Sequence, residues 1–153
     1  MKLSARGHYG LLAMAQLART YGQGPQSLTE IARLEAIPPA YLEQIMGALR
    51  RAGLVEGSRG VRGGYELARS PEEISAGAIV RTLEGPLLLT ACVGDGDVAG
   101  NCEREAVCSA KAMWLRLHDT IAGVLDSTSL ADLCEDTIKR DEVDPNSLKG
   151  DSN

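Results

Sequence analysis

Two adjacent prolines, Pro38 and Pro39, interrupt a helical sequence pattern and restrict most strongly how this chain can fold. Proline cannot donate a backbone hydrogen bond inside a helix, but it suits the first turn of one. Before the prolines, Ser27 is followed three residues later by Glu30, which predicts a short capped helix. After them, residues 40–53 have apolar positions at helical spacing. The sequence therefore predicts two short helices joined by a tight turn.

A glycine-rich segment with two arginines follows the second helix. Two β-like runs, residues 54–56 and 65–68, flank the turn sequence GSRGVRGG, which contains Arg59 and Arg62. Paired short helices followed by a hairpin with a basic tip are the outline of a winged helix-turn-helix, in which the second helix enters the major groove. Helical pairs and glycine-rich turns are also common without that function. Their order and compact spacing favour DNA binding.

The charge is distributed unevenly along the chain. The net charge of -5 over 153 residues, taken as an average, argues against a nucleic-acid partner. However, residues 1–70 contain nine Lys or Arg and five acids, for a net charge of +4, whereas residues 71–153 contain seven and sixteen, for -9. Five of those nine cations lie between Arg50 and Arg69. The first half is therefore suited to DNA, with chance clustering on a solvated surface as the alternative.

The remaining pattern predicts a mainly α fold with a small β wing. Ser4 begins a helix that ends near residue 20, and helices are expected at residues 75–84, 109–126 and 129–138. The aromatic content is only 3%, with no Phe, so the core has to be aliphatic. The long helix has an apolar stripe that predicts either core packing or a dimer interface: Trp114, Leu117, Ile121 and Val124.

These elements divide the chain into four predicted segments. They are a winged helix-turn-helix DNA-binding domain at residues 1–84, a cysteine loop at 85–108, a dimerisation helix with a C-terminal helix at 109–140, and a disordered polar tail at 141–153.

Several classes of protein are disfavoured by what the sequence lacks. No run approaches the roughly eighteen apolar residues of a membrane span, and the N-terminus lacks the apolar stretch of a secretory signal. We therefore expect a cytoplasmic protein without a membrane partner. There is no CxxC pair and no recognisable nucleophile with its base, which disfavours an enzyme with a small-molecule substrate. A pure interaction module would leave the arginine-rich wing unexplained.

Three cysteines, Cys92, Cys102 and Cys108, lie within seventeen residues, and Cys134 lies far from them. Zinc sites usually take two close pairs of ligands, which this spacing does not provide. An iron–sulfur cluster tolerates wider spacing, because its ligands surround a larger body, but it requires a fourth ligand. The alternatives from spacing alone are reducible thiols or a redox switch that forms a disulfide.

The motifs together resemble a known family. The opening MKLSARGHYGLLAM, the run YLEQIMGALRRAGLVEGSRGVRGGYELARSPEEISAGAIVRTLEG, the cysteine loop and the later TSLADL are similar to the bacterial winged-helix regulators that include IscR and NsrR. The similarity covers about residues 1–135. It implies a homodimer with crossed long helices, two winged domains, and an iron–sulfur cluster, either 2Fe–2S or 4Fe–4S, between the subunits.

The resemblance also assigns residues that contact double-stranded DNA. Tyr41, Glu43 and Gln44 match positions of the recognition helix, and Arg59 matches the wing arginine. Gln can form paired hydrogen bonds with adenine, Glu can accept from cytosine, and Arg can enter a narrow minor groove. Tyr41 has helix packing as its alternative role. Three further arginines are expected to contact phosphates or to lie on a solvated surface: Arg50, Arg51 and Arg62.

For the cluster, the resemblance assigns Cys92, Cys102 and Cys108 as ligands. The nine-residue first gap is longer than in IscR or NsrR. Where IscR-like proteins have a ligating His after the last Cys, this chain has Lys111, a poor ligand while protonated. His8 occupies the place where NsrR-like proteins supply an acidic ligand from the partner subunit, so His8 is the predicted fourth ligand, with a surface histidine as the alternative.

The sequence and the resemblance together predict a homodimeric transcriptional repressor that is controlled by an iron–sulfur cluster. The regulated process would be cluster assembly or a response to redox state, nitric oxide or iron. The alternative is a cluster-free repressor of the same fold that uses its thiols as a switch or responds to a protein partner.

Overall fold

A computed structural model describes residues 4–96, 100 and 102–143 of the chain. The elements in chain order are α1 (Ala5–Arg19), α2 (Leu28–Leu34), α3 (Pro39–Arg51), β1 (Val55–Ser58), β2 (Gly64–Leu67), α4 (Ala76–Glu84), β3 (Leu88–Thr90), β4 (Val93–Gly94), α5 (Lys111–Ser127) and α6 (Leu130–Val143). The predicted class, mainly α with a small β wing, is confirmed. Within the described residues, no helix is both long and apolar enough to cross a membrane.

Three serines begin helices as the sequence predicts. The hydroxyl oxygens of Ser4, Ser27 and Ser75 accept hydrogen bonds from backbone N–H groups in the first turns of α1, α2 and α4, at 3.2, 3.2 and 3.1 Å. The Glu30 carboxylate, three residues after Ser27, contacts the Arg33 guanidinium at 2.6 Å. Ser27 therefore caps α2, while Glu30 forms an ion pair on the exposed side of that helix.

The turn between α2 and α3 depends on both prolines and on Ala36. Pro39 is the first residue of α3, and Pro38 precedes it as the N-cap residue. Ala36 adopts a left-handed conformation with φ 52°, and the Ile37 N–H donates back to the Ala32 carbonyl at 2.9 Å. This reversal ends α2 within two residues and fixes the direction in which α3 leaves.

An aliphatic core joins the helices of the winged domain. Its fully buried side chains come from α1, α2, α3 and α4 and from the segments between them, and they include Met14, Ile31, Leu42, Ile45, Met46, Leu49, Ile74 and Ile79. Among the described residues, the aromatic rings that pack on this cluster are partly buried tyrosines. The absence of Phe is thus compensated by branched and unbranched aliphatic side chains, as predicted.

The wing is a two-stranded antiparallel sheet in which Val55 pairs with Leu67 and Ser58 with Gly64. Its base is fixed to the loop after α1, because Gln26 and Tyr65 exchange two backbone hydrogen bonds of 2.9 and 2.8 Å. Gly64 lies against this loop, and a Cβ there would be 2.2 Å from the Gln26 carbonyl oxygen. Only glycine allows β2 and the loop to approach so closely.

We therefore expect Gly64→Ala to lower the free energy of unfolding by about 1–3 kcal/mol, because either strand or loop backbone has to move. Gly57→Ala is the matched control in β1, since the nearest atom to a Cβ there is 3.6 Å away. That variant should stay within about 0.5 kcal/mol of the parent. Urea unfolding of the three proteins measures the difference, and equal midpoints would contradict the role given to Gly64.

The second half of the chain differs from its prediction in three respects. Part of the expected cysteine loop is an antiparallel hairpin, in which Leu88 pairs with Gly94 and Thr90 with Val93. In addition, α5 and α6 separate: α5 packs against α4 and this hairpin, whereas α6 packs against α1 with Leu130 fully buried. α6 also continues to Val143, so the predicted tail does not begin at residue 141. The rest of that tail, residues 144–153, lies outside the described residues.

Candidate nucleic-acid interface and cysteine loop

One side of α3 is buried and the other is exposed. Leu42 and Ile45 are fully buried, whereas the intervening Glu43 and Gln44 are exposed. This division follows from the helical repeat, since residues three and four apart share a face. The two predicted base-reading side chains therefore stand on the solvent side of the second helix of the pair.

The third predicted base-contacting residue, Tyr41, has a different environment. Its ring is partly buried and packs edge-on against the Tyr9 ring of α1, with centroids 5.8 Å apart and an interplanar angle of 81°. Such aromatic pairs stabilise helix contacts. The geometry supports the packing alternative for this ring, and a DNA contact by Tyr41 stays a prediction.

Four predicted DNA-contacting arginines lie at the end of α3 and at the tip of the wing. Arg50, Arg51, Arg59 and Arg62 are all exposed. The Arg50 guanidinium lies along β1, 3.6 Å from where a Cβ on Gly57 would be, so it spans from α3 to the wing. Across the described ranges, none of the four forms an ion pair, in contrast to Arg19 with Glu35 and Arg33 with Glu30. Their charge is available to an external anion.

The three predicted cluster cysteines occupy different surroundings. Cys92 is half-buried beside the β3–β4 turn, with its Sγ 3.5 Å from the Thr90 Oγ1. Cys102 is half-buried and Cys108 is exposed, on either side of a short 3-10 turn at residues 105–107. All are free thiols. Sequence spacing suggested one loop, whereas the structure holds Cys92 on a hairpin.

The predicted fourth ligand, His8, is exposed on the first turn of α1. Its ring lies 6.0 Å from that of Tyr9. The described residues of a single chain contain no group of three or more His, Cys, Asp or Glu side chains placed to hold a metal ion. The thiols and His8 of one protomer therefore do not fit a cluster by themselves. Lys111, at the other family position, forms an ion pair with Glu105.

Cys134 is separated from the other cysteines and lies on α6. Its thiol donates to the Ala15 carbonyl oxygen of α1 at 3.6 Å and is about half-buried, and this burial raises the pKa of the thiol. A raised pKa leaves little of the reactive thiolate at neutral pH. The four cysteines thus separate into three thiols in the loop region and one thiol that packs between α6 and α1.

An ion cluster that the sequence did not predict connects the cysteine hairpin to two helices. Asp95, just after β4, accepts from Arg81 of α4 at 2.7 Å, contacts His118 of α5 at 3.2 Å, and accepts from the Leu87 N–H at 2.8 Å. Arg81 also donates to Asp126 of α5 at 2.5 Å. The Arg81 guanidinium, more than any other group, lowers the pKa of Asp95 to about 2. This ion cluster of Asp95, Arg81, His118 and Asp126 joins the winged domain, the hairpin and the long helix.

We expect Asp95→Asn to lower the free energy of unfolding by about 2 kcal/mol at pH 7, following the depressed pKa. A carboxylate whose pKa is lowered by folding contributes stability above its unfolded pKa, near 4, and loses it as pH falls towards 2. Urea unfolding between pH 7 and 3 measures this, and the gap between variant and parent should narrow below about pH 4. A gap that does not change with pH would contradict the assignment. Asp136→Asn, at an exposed position of α6, is the control.

The long helix α5 has no buried residue along its seventeen positions. Of the predicted dimer residues, Leu117 and Val124 are 41% and 61% exposed, and Trp114 and Ile121 are half-buried. Met113 is 54% exposed beside them. The apolar stripe is thus not buried in the core of the protomer and stays at least partly exposed. That it forms a dimer interface stays a prediction.

Comparison with known proteins places the chain among regulators. The sequence profile of the Rrf2 family, described as iron-dependent transcriptional regulators, matches residues 3–136. The chain is 43% identical over 137 residues to the HTH-type transcriptional regulator CymR of Bacillus subtilis, which covers 90% of this chain and 92% of the relative. The solved structure of that protein, the global cysteine regulator of B. subtilis, superposes with a TM-score of 0.73 and covers 88% of this chain and 97% of the other.

Two further solved structures are similar to this chain. T. potens IscR is 39% identical, with a TM-score of 0.71 and coverage of 90% of this chain and 88% of the other. The oxidized form of Staphylococcus aureus CymR is 42% identical, with a TM-score of 0.71 and coverage of 88% and 97%. These similarities confirm the resemblance to IscR-type regulators and the predicted fold. Because the relatives are named transcriptional regulators, the chain is a regulator and not an enzyme.

Proposed function

This chain belongs to the Rrf2 family of transcriptional regulators, and on that basis we propose that it is a homodimeric repressor whose affinity for DNA depends on its cysteine loop. Such a protein acts in the cytoplasm, where its operator lies. The observation that carries the proposal is the joint exposure of Glu43, Gln44 and the arginines on α3 and the wing, which form no ion pair with any described residue. Exposed hydrogen-bonding groups read bases, and free cations replace the counterions of phosphates.

The roles within this surface follow from side-chain chemistry. Gln44 and Glu43 face a major groove and read base edges, while Arg59 reaches the neighbouring minor groove from the wing. Arg50, Arg51 and Arg62 contact phosphates. Tyr41 supports the helix through its ring contact with Tyr9, and its hydroxyl is the part of the side chain that could approach DNA.

The homodimer is supported by the apolar stripe of α5. A surface with Met113, Leu117 and Val124 adjacent on one helix is unfavourable in water, and a second copy of the helix covers it with matching side chains. A two-fold dimer also presents two α3 helices to two half-sites. No small-molecule substrate is required by this arrangement.

We assign control of the dimer to an iron–sulfur cluster, following the family description and the similarity to IscR. Its ligands would be Cys92, Cys102 and Cys108 with His8 from the second subunit, since one protomer does not group these side chains. When bound, such a cluster supplies a redox-active centre. Asp95 follows the hairpin that contains Cys92, and it contacts Arg81 of α4 and His118 of α5. A change at the cysteines would reach these two helices through those contacts.

A second candidate function is direct control by the thiols. It is favoured by the free cysteines and by the similarity to CymR, since the S. aureus CymR was solved in an oxidized form. In this version, two loop thiols are oxidised to a disulfide, and a peroxide or diamide takes up the two electrons and two protons. The new bond changes the hairpin. Cys108 is the most exposed of the three thiols and therefore the first to react.

Anaerobic purification with an absorption spectrum and iron and sulfide analysis distinguishes the two. A coloured protein with both elements, whose spectrum changes in His8→Ala, supports the cluster and its fourth ligand. A colourless protein without iron or sulfide, whose DNA affinity is changed by diamide and restored by dithiothreitol, supports the thiol version. Cys134→Ser is the control, since it should alter neither the spectrum nor the response. DNA affinity that ignores every loop-cysteine variant would refute both.

A further inference from the structure

An open groove runs between the first turn of α1 and the exposed face of α3. Its volume is about 570 Å³, and it is lined by Arg6, Ala40, Glu43, Gln44, Gly47 and Arg51. Five of these residues belong to α3. Arg6 is the only one from another element, so the groove extends the proposed DNA surface onto α1.

Arg6 has an unsatisfied donor at this groove. Its Nε is buried and has no hydrogen-bond partner within the part of the chain that the structure describes. A cationic donor that is removed from water without a partner costs free energy, because hydration is lost and nothing replaces it. Because the Nε is itself enclosed, an external acceptor reaches it only when the half-buried Arg6 side chain rotates towards the groove that it lines.

The backbone N–H groups at the start of α1 are already used, so the helix end itself is not the anion site. The Arg6 N–H donates to the Ser4 hydroxyl at 3.2 Å, and the Gly7 N–H donates to the Glu84 carboxylate at 2.8 Å. The guanidinium of Arg6 is left as the group that can bind a negatively charged ligand.

A second guanidinium lines the groove. The Arg51 Nη1 lies over Gly47, 3.5 Å from where a Cβ on that residue would be. Glu43 is the single carboxylate in the lining, against two guanidinium groups. The net charge of the groove therefore favours an anion with several acceptor oxygens, for which a guanidinium fork is well shaped.

We propose that Arg6 and Arg51 together hold one backbone phosphate of the DNA beside the recognition helix. A phosphate fixed between α1 and α3 sets the depth and register at which Glu43 and Gln44 meet the bases. The inference rests on the proposed DNA binding through α3. It adds a contact from α1 that neither the sequence pattern nor the resemblance assigned.

The test measures affinity against salt for a duplex of about 30 base pairs that the parent protein selects from a randomised library. Arg6→Gln should weaken binding about tenfold for each protomer engaged. It should also reduce the slope of log affinity against log salt by about 0.9 per protomer, since one phosphate contact is lost. Arg6→Lys, which retains the charge without the fork, should lie between. Arg116→Gln, exposed on α5, removes the same charge and should leave the slope unchanged.

A direct readout covers the case in which Arg6→Gln disturbs the fold. In ¹⁵N spectra of the parent protein, the Arg6 Nε–H signal, assigned by its absence from Arg6→Lys, should move on titration with the duplex. An Arg6 signal that DNA leaves in place, or an unchanged salt slope in a folded Arg6→Gln protein that still binds, would overturn the inference. A signal that moves with inorganic phosphate at fixed ionic strength but not with DNA would assign the groove to a free anion. A parent protein without DNA affinity would instead refute the proposed function.

Discussion

Leu117→Asp is expected to convert the protein to monomers and to weaken DNA binding at least a hundredfold. Leu117 is 41% exposed in the middle of the α5 stripe, with Val124 and Met113 beside it. In a dimer this position would be covered, and an unpaired carboxylate there costs several kcal/mol. Loss of the dimer lowers the DNA affinity. In a dimer, binding of one winged domain raises the effective concentration of the second at the neighbouring half-site, and a monomer lacks this gain.

Light scattering gives the mass, and fluorescence anisotropy with a labelled duplex gives the affinity. Ala112→Asp is the matched control: it adds the same charge at an exposed α5 position about 140° away around the helix. The control should remain dimeric and bind as the parent does. A Leu117→Asp protein that stays dimeric at micromolar concentration would show that α5 does not form the interface through this stripe.

Arg59→Ala and Gln44→Ala are expected to weaken DNA binding in two different ways. Arg59 is exposed at the wing tip without an ion pair in the structured part of the chain, so its loss should cost about tenfold for each protomer and lower the salt dependence. Gln44 offers one donor and one acceptor on the exposed side of α3. Its loss should reduce discrimination against a wrong base by about 1–3 kcal/mol while leaving the salt dependence unchanged.

Binding to the selected duplex and to single-base variants of it separates these effects. A Gln44→Ala protein with unchanged base preference would remove this residue from base reading. An Arg59→Ala protein with the parent's affinity and salt slope would remove the wing tip from the interface. Arg33→Ala is the comparison variant. It removes a positive charge from the winged domain, but in the parent that guanidinium is already paired with Glu30.

Features that depend on neighbouring residues were predictable from the sequence. Serine caps before α1 and α2 and the break at Pro38 act over three or four residues, so their signals survive in a linear pattern. The wing was predictable because its turn is short and its glycines and arginines are contiguous. The resemblance added the proposed DNA contacts of individual residues, which spacing alone does not specify.

Features that join distant segments were not predictable in this way. The β3–β4 hairpin lies in a glycine- and acid-rich stretch without alternating polarity, and the ion cluster places Asp95 against Arg81 and His118, residues 14 and 23 positions away. The contact of Cys134 with Ala15 spans 119 positions. No short-range pattern encodes such pairs, because they form only when packed helices bring the segments together.

The sequence by itself determined the helix-turn-helix, the basic wing and the aliphatic composition of the core, since these follow from local backbone preferences and side-chain type. Tertiary packing decided that the Tyr41 ring packs on Tyr9 and that the α5 stripe stays partly exposed. It also decided that Arg6 stands beside α3 with an Nε that has no partner among the described residues. These outcomes depend on which surfaces meet in three dimensions and which donors lose water when they do.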